Sequence, residues 1–217
     1  MKNKKLAKKI TFLVLILIAV SQLFPLYWLL TFSLKGNAEI FGDNIIGLPQ
    51  NWRWENYVRA LTQTNIIRYF LNSVFYSATT VAVSGMLSSM AAYAIARMKW
   101  KRSGLVFGIF AIGIMIPAQA ALLPLFQLLD RTGLKGGYLA LLIPYIAGAL
   151  PMSILILTGF YKGIPKEIEE AAYIDGCGVF KTFLLIILPI IKPAIATASI
   201  FTFLGTWNEL MLANTFV

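Results

Sequence analysis

Long apolar runs, separated by short charged segments, dominate the pattern of this chain. An α-helix crosses the roughly 30 Å hydrocarbon core of a bilayer with about 20 apolar residues. Four runs carry no charge at all, and a fifth carries only Glu209. The pattern therefore predicts an all-α integral membrane protein, a polytopic helical bundle. Its five predicted transmembrane helices are residues 11–34, 69–96, 103–129, 136–161 and 193–217.

The segments between these runs predict how the helices cross the membrane. Basic residues concentrate in residues 1–10, in the loop 97–102 (RMKWKR) and in the loop 162–192. The positive-inside rule places all three in the cytoplasm and the polar segment 35–68 outside. The first run is too long for a cleaved signal sequence and ends in bulky residues. We therefore expect a retained first helix with a cytoplasmic N-terminus.

Composition agrees with a membrane protein and narrows the function. The 217 residues are 59% hydrophobic and 13% charged, with a formal net charge of +10. The basic residues flank the apolar runs instead of forming one stripe, so they indicate topology and contacts with anionic lipid. We expect no nucleic-acid partner.

Several kinds of catalytic and metal site are absent from the sequence. The chain has no histidine and one cysteine, Cys177, and no glycine precedes a lysine, so there is no Walker-type nucleotide site. The aspartates that an intramembrane aspartyl protease needs are missing, since Asp130 and Asp175 lie in predicted loops. We therefore predict no catalytic residue, no metal, no cofactor and no enzyme activity in this chain.

The longest charged passage in the second half, residues 163–193, is predicted to form a helix, a turn and a second helix. Pro165 suits the first position of a helix, where its missing N–H is not needed. Three glutamates follow it, and negative charge is favoured near a helix start. Gly176 stands where a left-handed C-terminal cap is expected. The second helix, at about residues 179–188, is predicted to stop at Pro189.

One face of the first predicted helix is small and partly apolar, which would let another protein approach closely. The alternative is an amphipathic helix lying on the membrane surface, but the three glutamates suit an anionic leaflet poorly. The residues of this face recur at helical spacing: Ile168, Ala171, Ala172 and Asp175.

The same passage carries a pattern that resembles the EAA loop of ABC importer permeases, the cytoplasmic element through which a membrane subunit engages its ATPase. The pattern consists of Glu170, Ala171 and Ala172, followed at fixed spacing by Gly176, Ile186, Leu188 and Pro189. The similarity extends over nearly the whole chain, and its most specific parts are this loop and FLGTWNEL at 203–210. The chain resembles the second permease of maltose-type carbohydrate importers. Members of that family have six transmembrane helices, so the resemblance implies a C-terminally truncated sequence with five of them.

The resemblance implies a set of partners and a coupling role. The partners would be a second permease, two cytoplasmic ATPases, an extracytoplasmic sugar-binding protein and membrane lipid, at a bacterial cell membrane, with a di- or oligosaccharide as cargo. Glu170 would pair with a basic group in the ATPase cleft, Ala171 and Ala172 would pack into that cleft, and Gly176 would turn the chain. The resemblance assigns coupling to Glu170, Ala171, Ala172, Asp175, Gly176 and Pro189.

The acid in the fifth predicted span has two possible explanations. Ionisable groups within a bilayer are costly and indicate function, so Glu209 is a candidate for the substrate path beside Trp207 and Asn208, where an indole face and an amide suit a sugar. Alternatively, Glu209 lies near the outer end of the span, solvated or capping a helix. Two other functions stay open: an ion-coupled secondary transporter fragment, which would favour carboxylates within spans, and a non-transporting membrane scaffold.

Overall fold

The computed structural model describes residues 2–98 and 100–216, and of residues 2–4, 6 and 7 the backbone alone. Met1, Lys99 of the predicted basic loop and Val217 of the predicted fifth span lie outside the described residues. Two compact units are present, residues 1–69 and 70–217. The helices are α1 (Lys2–Ser33), α2 (Asn37–Ile40), α3 (Glu55–Gln63), α4 (Ile66–Arg97), α5 (Ser103–Met115), α6 (Ala118–Arg131), α7 (Leu139–Lys162), α8 (Glu167–Ile174), α9 (Val179–Ile190), α10 (Lys192–Trp207) and α11 (Met211–Phe216).

The lengths and composition of these helices confirm the predicted all-α polytopic fold. In the part of the chain that the structure describes, α1, α4 and α7 are each long and apolar enough to cross a membrane. Two further pairs pass the same test together but are sharply bent: α5 with α6 at 101°, and α9 with α10 at 75°. The described residues thus contain three such helices, or up to five spans if each bent pair is one span.

The predicted span 103–129 contains a break, because the chain leaves the helical conformation between α5 and α6. Ile116 has an extended backbone with ψ of 112°, and so does Pro117 with ψ of 135°. The ring of a proline crowds the preceding residue and disfavours its helical conformation. A run of apolar residues predicts burial in lipid, but it does not by itself predict that the helix continues through a proline.

The second predicted helix, at about residues 179–188, corresponds to α9, which runs past Pro189 to Ile190. The middle of α9, Thr182–Ile187, is a π-helical turn, which is wider than an α-helical one. Proline cannot donate a hydrogen bond to the carbonyl four residues before it, and the wide turn directly precedes this proline. The helix ends at Ile191 (φ −89°, ψ 7°), after which α10 begins. The predicted boundary at residue 192 therefore divides a bent helical pair.

The predicted fifth span, 193–217, is broken as well. α10 ends at Trp207, and the backbone N–H of Asn208 still donates to the carbonyl of Leu204 over 3.2 Å. A new short helix, α11, begins at Met211. Its first free backbone N–H groups are satisfied by the side chain of Glu209, as described below.

In the first unit, the segment after α1 is organised around two charged side chains. Lys35 is 1% exposed, and its Nζ donates to the carbonyl oxygens of Asn44 (2.6 Å) and Ile45 (3.1 Å). Glu39 accepts hydrogen bonds from the backbone N–H of Gln50 (2.8 Å) and of Asn51 (3.4 Å). The Gln50 bond is the largest cause that lowers the pKa of Glu39. These bonds fix a polar segment whose structure the apolar pattern does not predict.

In the second unit, α7 is the helix around which the others pack. Near its start, it shares a buried apolar cluster with α6 and α11 that contains Tyr145, Leu129 and Phe216. Near its end, it shares another with α4, α9 and α10 that contains Leu157 and Tyr161. The second cluster lies next to α8 and supports the site described below.

Candidate functional site

Both ends of α8 are fixed by local chemistry. Gly176 has φ of +80°, and its N–H donates to the carbonyl of Tyr173 (3.1 Å), while the N–H of Cys177 donates to the carbonyl of Ala172 (2.9 Å). This pair of bonds is the Schellman cap, which needs a left-handed residue at the glycine position. The predicted cap is therefore confirmed. The predicted position of Pro165 is wrong, because Lys166 is the N-cap and Pro165 precedes it.

The two faces of α8 separate residues that are neighbours in the sequence. Glu170 and Ala171 are exposed. Glu169 is only 8% exposed and Ala172 only 3%. The resemblance implied that Ala172 enters the cleft of a partner, but here it is buried in the chain itself. Its methyl group supports the helix from the inside and is not available to another protein.

The exposed face of α8 also carries an apolar side chain that the sequence reasoning missed. Ile174 is 86% exposed and follows Glu170 by four residues, so the two lie on the same side of the helix. Asp175, the C-cap residue, is exposed beside it. Ile174 and Ala171 therefore give the exposed face of α8 an apolar part beside the carboxylate of Glu170. The spacing of four residues from Glu170 is the sequence signal that could have identified Ile174.

The buried face of α8 is held by an ion pair with the end of α4. Nη2 of Arg97 lies 2.7 Å from Oε2 of Glu169, and Nε donates to the same oxygen over 2.9 Å. The exposed fractions of the two side chains are 5% and 11%. Charge-assisted bonds of this length are the strong class of hydrogen bond, and burial removes the screening that weakens surface pairs.

The same guanidinium also binds the turn that leads into α8. Nη1 of Arg97 donates to the carbonyl oxygens of Ile164 (2.9 Å) and Tyr161 (3.3 Å), and Nη2 donates to that of Pro165 (3.4 Å). These carbonyls lie at the end of α7, where the helix dipole favours a cation. One side chain therefore joins the ends of α4 and α7 to the first turn of α8.

Sequence reasoning missed this pair, because Arg97 was assigned to the basic loop only as a topology signal. The two partners are 72 residues apart in the sequence. Local periodicity reports which residues share a face of one helix, but not which distant residue meets that face. The sequence signal for a buried Glu169 was its spacing of three residues from Ala172, which puts both on one face of the helix.

A polar cavity of about 600 Å³ lies between the 97–102 loop and α8. The other carboxylate oxygen of Glu169, Oε1, is buried and has no hydrogen-bond partner among the described residues. The polar and aromatic residues that line the cavity are Arg97, Trp100, Lys101, Ser103, Lys166, Glu169, Glu170 and Tyr173.

Glu209 of the predicted substrate path caps a helix. Its Oε1 accepts the backbone N–H of Leu212 (2.7 Å), and its Oε2 accepts that of Ala213 (3.2 Å). The hydroxyl of Tyr145 on α7 donates to Oε2 over 2.7 Å. Of the two explanations left open by the sequence, these bonds support helix capping.

The two neighbours of Glu209 face other surroundings. Trp207 stacks on Phe203 and meets the edge of Phe70, and it lines an apolar groove of about 560 Å³ between α4 and α10. Asn208 is exposed, and its Nδ2 donates to the carbonyl of Leu204 (2.9 Å). The structure therefore does not bring the three predicted residues together around one polar cavity.

A larger cavity with polar side chains lies elsewhere, between α5, α6, α7 and α10. It measures about 690 Å³ and is lined by Tyr145, Ser153, Thr202 and Thr206 among apolar residues. The hydroxyls of Ser153 and Thr202 lie 3.4 Å apart across α7 and α10. Hydroxyls within an apolar wall suit a polar, uncharged cargo. None of these four residues was predicted from the sequence, since single hydroxyls in apolar runs are common.

Comparison with known proteins gives a consistent result. The family model "Binding-protein-dependent transport system inner membrane component" matches residues 84–217. The chain is 38% identical over 206 residues to "Probable ABC transporter permease protein YurM" of Bacillus subtilis (strain 168), covering 95% of this chain and 67% of that one. It is 37% identical over 198 residues to "Diacetylchitobiose uptake system permease protein NgcG" of Streptomyces coelicolor, covering 91% and 65%.

A third relative and a solved structure extend the likeness over the whole chain. The chain is 32% identical to "Trehalose/maltose transport system permease protein MalG" of Thermococcus litoralis, covering 100% of this chain and 78% of that one. The chain thus spans 65% to 78% of the length of these three relatives. A bacterial ABC transporter involved in the import of the acidic polysaccharide alginate contains a chain with the same fold, at a TM-score of 0.84 and 21% identity, covering 100% of this chain and 76% of that one. The protein belongs to the family of inner membrane components of binding-protein-dependent transport systems.

Proposed function

We propose that this chain is a membrane-spanning permease subunit of an ATP-driven sugar importer, and that α8 couples it to a cytoplasmic ATPase. The observation that carries the proposal is the presentation of α8. The helix is capped at Gly176, and on its buried side Glu169 pairs with Arg97. On its other side, Glu170, Ala171 and Ile174 are exposed. A rigid helix with an acidic and apolar outer face fits a cleft that has a basic group and an apolar floor.

ATP hydrolysis in this proposal belongs to a separate subunit, since the chain has no Walker-type sequence. The complete transporter would contain a second permease, two such ATPases and an extracytoplasmic sugar-binding protein. The cytoplasmic side would hold the N-terminus, the 97–102 loop and α8. In this proposal, Asp175 and Pro189 complete the coupling set. Asp175 is the C-cap residue of α8, and Pro189 lies in the last turn of α9.

The proposed cargo is a di- or oligosaccharide. Two of the relatives are named for diacetylchitobiose and for trehalose/maltose, which are disaccharides. The cavity of about 690 Å³ beside α7 has room for such a cargo, and the side chain of Thr206 is part of its lining. The family favours this function over an ion-coupled secondary transporter or a scaffold, and Glu209, the carboxylate that ion coupling would use, is engaged in a helix cap.

The test is co-purification of partners from the native membrane in mild detergent. We expect an ATPase and a second permease to accompany the wild-type protein. The variant Glu170→Lys reverses the charge on the outer face of α8, so we expect it to lose the ATPase and keep the second permease. Mass spectrometry of the purified complexes measures both.

Asp130→Lys provides a control, because Asp130 is an exposed acid near the end of α6. It carries the same charge reversal away from α8, and we expect it to retain the ATPase. Purification of the wild-type protein without an ATPase would contradict the proposal. Equal loss of the ATPase in both variants would show that charge alone, and not the face of α8, determines binding.

A further inference from the structure

α8 carries an exposed glutamate and a buried one, and together they connect the outer face of this helix to a membrane span. Glu170 faces outward, and Glu169, the preceding residue, faces Arg97. One turn of helix holds both, so a partner that moves Glu170 also moves Glu169. On the far side of the ion pair stands α4, a candidate membrane span of 32 residues that ends at Arg97.

We infer that Arg97 and Glu169 form a clamp that transmits the movement of α8 to α4 during transport. The inference rests on the proposed coupling function of α8 and assigns a positioning role to a pair outside the EAA pattern. The chain connects α8 directly to α7 and α9. The link to α4 joins residues 72 apart, so it depends on noncovalent contacts.

The geometry of the clamp suits transmission because it restrains α8 in more than one direction. Arg97 holds Glu169 through Nε and Nη2, and it holds the carbonyls of Ile164 and Pro165 through the rest of the guanidinium. A planar guanidinium keeps these directions fixed relative to one another, whereas a lysine ammonium would offer a single charge on a flexible stem.

The end of α4 is itself held firmly enough to carry the movement inward. Tyr93 and Ala92 belong to the buried cluster with Leu157 and Tyr161 of α7. One turn further, the hydroxyls of Ser89 and Tyr161 lie 2.9 Å apart, and both side chains are buried. The helical stretch from Ser89 to Arg97 is therefore packed against α7 along its length.

The test measures how much sugar the reconstituted transporter, assembled with the subunits that co-purify with it, moves per ATP hydrolysed. We make Arg97→Lys, which keeps the positive charge but removes the planar guanidinium. We also make Glu169→Gln, which keeps the shape of the side chain but removes its charge. We expect both variants to keep the ATPase bound and to lower the sugar moved per ATP by roughly five-fold or more. A purely structural defect would instead reduce uptake and hydrolysis in parallel.

Matched controls make the same kinds of change at exposed residues outside the ion pair and outside α8. Arg102→Lys is made at an exposed arginine of the 97–102 loop, and Asp130→Asn neutralises an exposed acid near the end of α6. We expect both controls to keep the wild-type ratio.

Three results would overturn the inference: an unchanged ratio in Arg97→Lys and Glu169→Gln, a parallel fall of uptake and hydrolysis, or failure of both to insert into the membrane. The last would make the pair a folding element. Failure of the proposed function is distinguishable, because the wild-type protein would then purify without an ATPase.

Discussion

At the scale of single residues, Glu209 shows how the cost of a carboxylate in a membrane segment is offset by hydrogen bonds. An ionised group in a membrane segment needs partners, and here the partners are two backbone N–H groups of α11 and the hydroxyl of Tyr145. Negative charge is also favoured at a helix start. The residue that most resembled a transport site therefore acts as a structural cap, and the hydroxyl-lined cavity beside α7 becomes the better candidate for the cargo.

Filling that cavity at Gly148 tests its role at the scale of one residue. Gly148 lines the cavity, and a Cβ placed there would meet no atom within 4 Å. Gly148→Leu should therefore fold, and leucine has a higher helix propensity than glycine. Crowding against the added side chain costs about 1–3 kcal/mol, so we expect uptake of sugar to slow by roughly ten- to hundred-fold. Uptake into proteoliposomes measures it.

Gly159→Leu is the control for this prediction. Gly159 lies on the same helix, a Cβ added there would also meet no atom within 4 Å, and the residue lines a different groove. We expect this variant to leave uptake close to the wild-type rate. Equal uptake by both variants would exclude the cavity as the path of the cargo.

At the scale of helices, the accuracy of sequence reasoning depended on the range of the interactions involved. The end of α8 was predictable, because a left-handed glycine acts on carbonyls within one turn. The break at Pro117 has a local cause, because proline disfavours the helical conformation of the residue before it. The ion pair of Arg97 was not predictable, since it depends on how α4 and α8 pack. The buried face of α8 was not predicted: Ala172 was assigned to the face that docks the ATPase, and Glu169 was assigned by charge alone.

The cap of α8 gives a prediction at this scale. Gly176→Ala places a Cβ on a residue with φ of +80°, which costs about 1–2 kcal/mol although no neighbouring atom obstructs it. We expect hydrogen exchange of the backbone amides in α8 to accelerate by roughly five- to thirty-fold. Gly176→Asn should be milder, because asparagine adopts this conformation more readily.

Gly178→Ala is the matched control, two residues further along. Its backbone is extended with φ of −76°, and a Cβ would again meet nothing within 4 Å. We expect exchange in α8 to stay unchanged in this variant. If both alanine variants accelerate exchange alike, the left-handed conformation of Gly176 does not stabilise α8.

At the scale of the whole molecule, the charge pattern predicts that the 97–102 loop and the loop that contains α8 lie on the same side, and the structure of the second unit agrees. Arg97, the first residue of the basic loop, contacts the carbonyl of Pro165 directly before α8. The two loops therefore lie on the same side of the bundle. The turn after Arg131, between α6 and α7, lies at the opposite end of α7, beside the other buried cluster.

Labelling with a membrane-impermeant maleimide tests the proposed orientation in intact cells. Cys177, the single cysteine, follows α8 and is partly exposed. We expect it to react only after the cells are permeabilised, because the coupling loop is proposed to be cytoplasmic. In a Cys177→Ser background, we expect Arg131→Cys to react in intact cells, since Arg131 is exposed at the other end of α7. The pair reports the two sides of one membrane.

Lys8→Cys in the same background separates orientation from shielding. Lys8 is exposed in the N-terminal segment that is predicted to be cytoplasmic, and it is not part of the loop that contains α8. A bound ATPase could cover Cys177, but Lys8→Cys should then still react after permeabilisation. Reaction of Lys8→Cys in intact cells, together with protection of Arg131→Cys, would reverse the orientation. An ATPase in the cytoplasm could not then reach α8, and the coupling proposal would fail with the topology on which it depends.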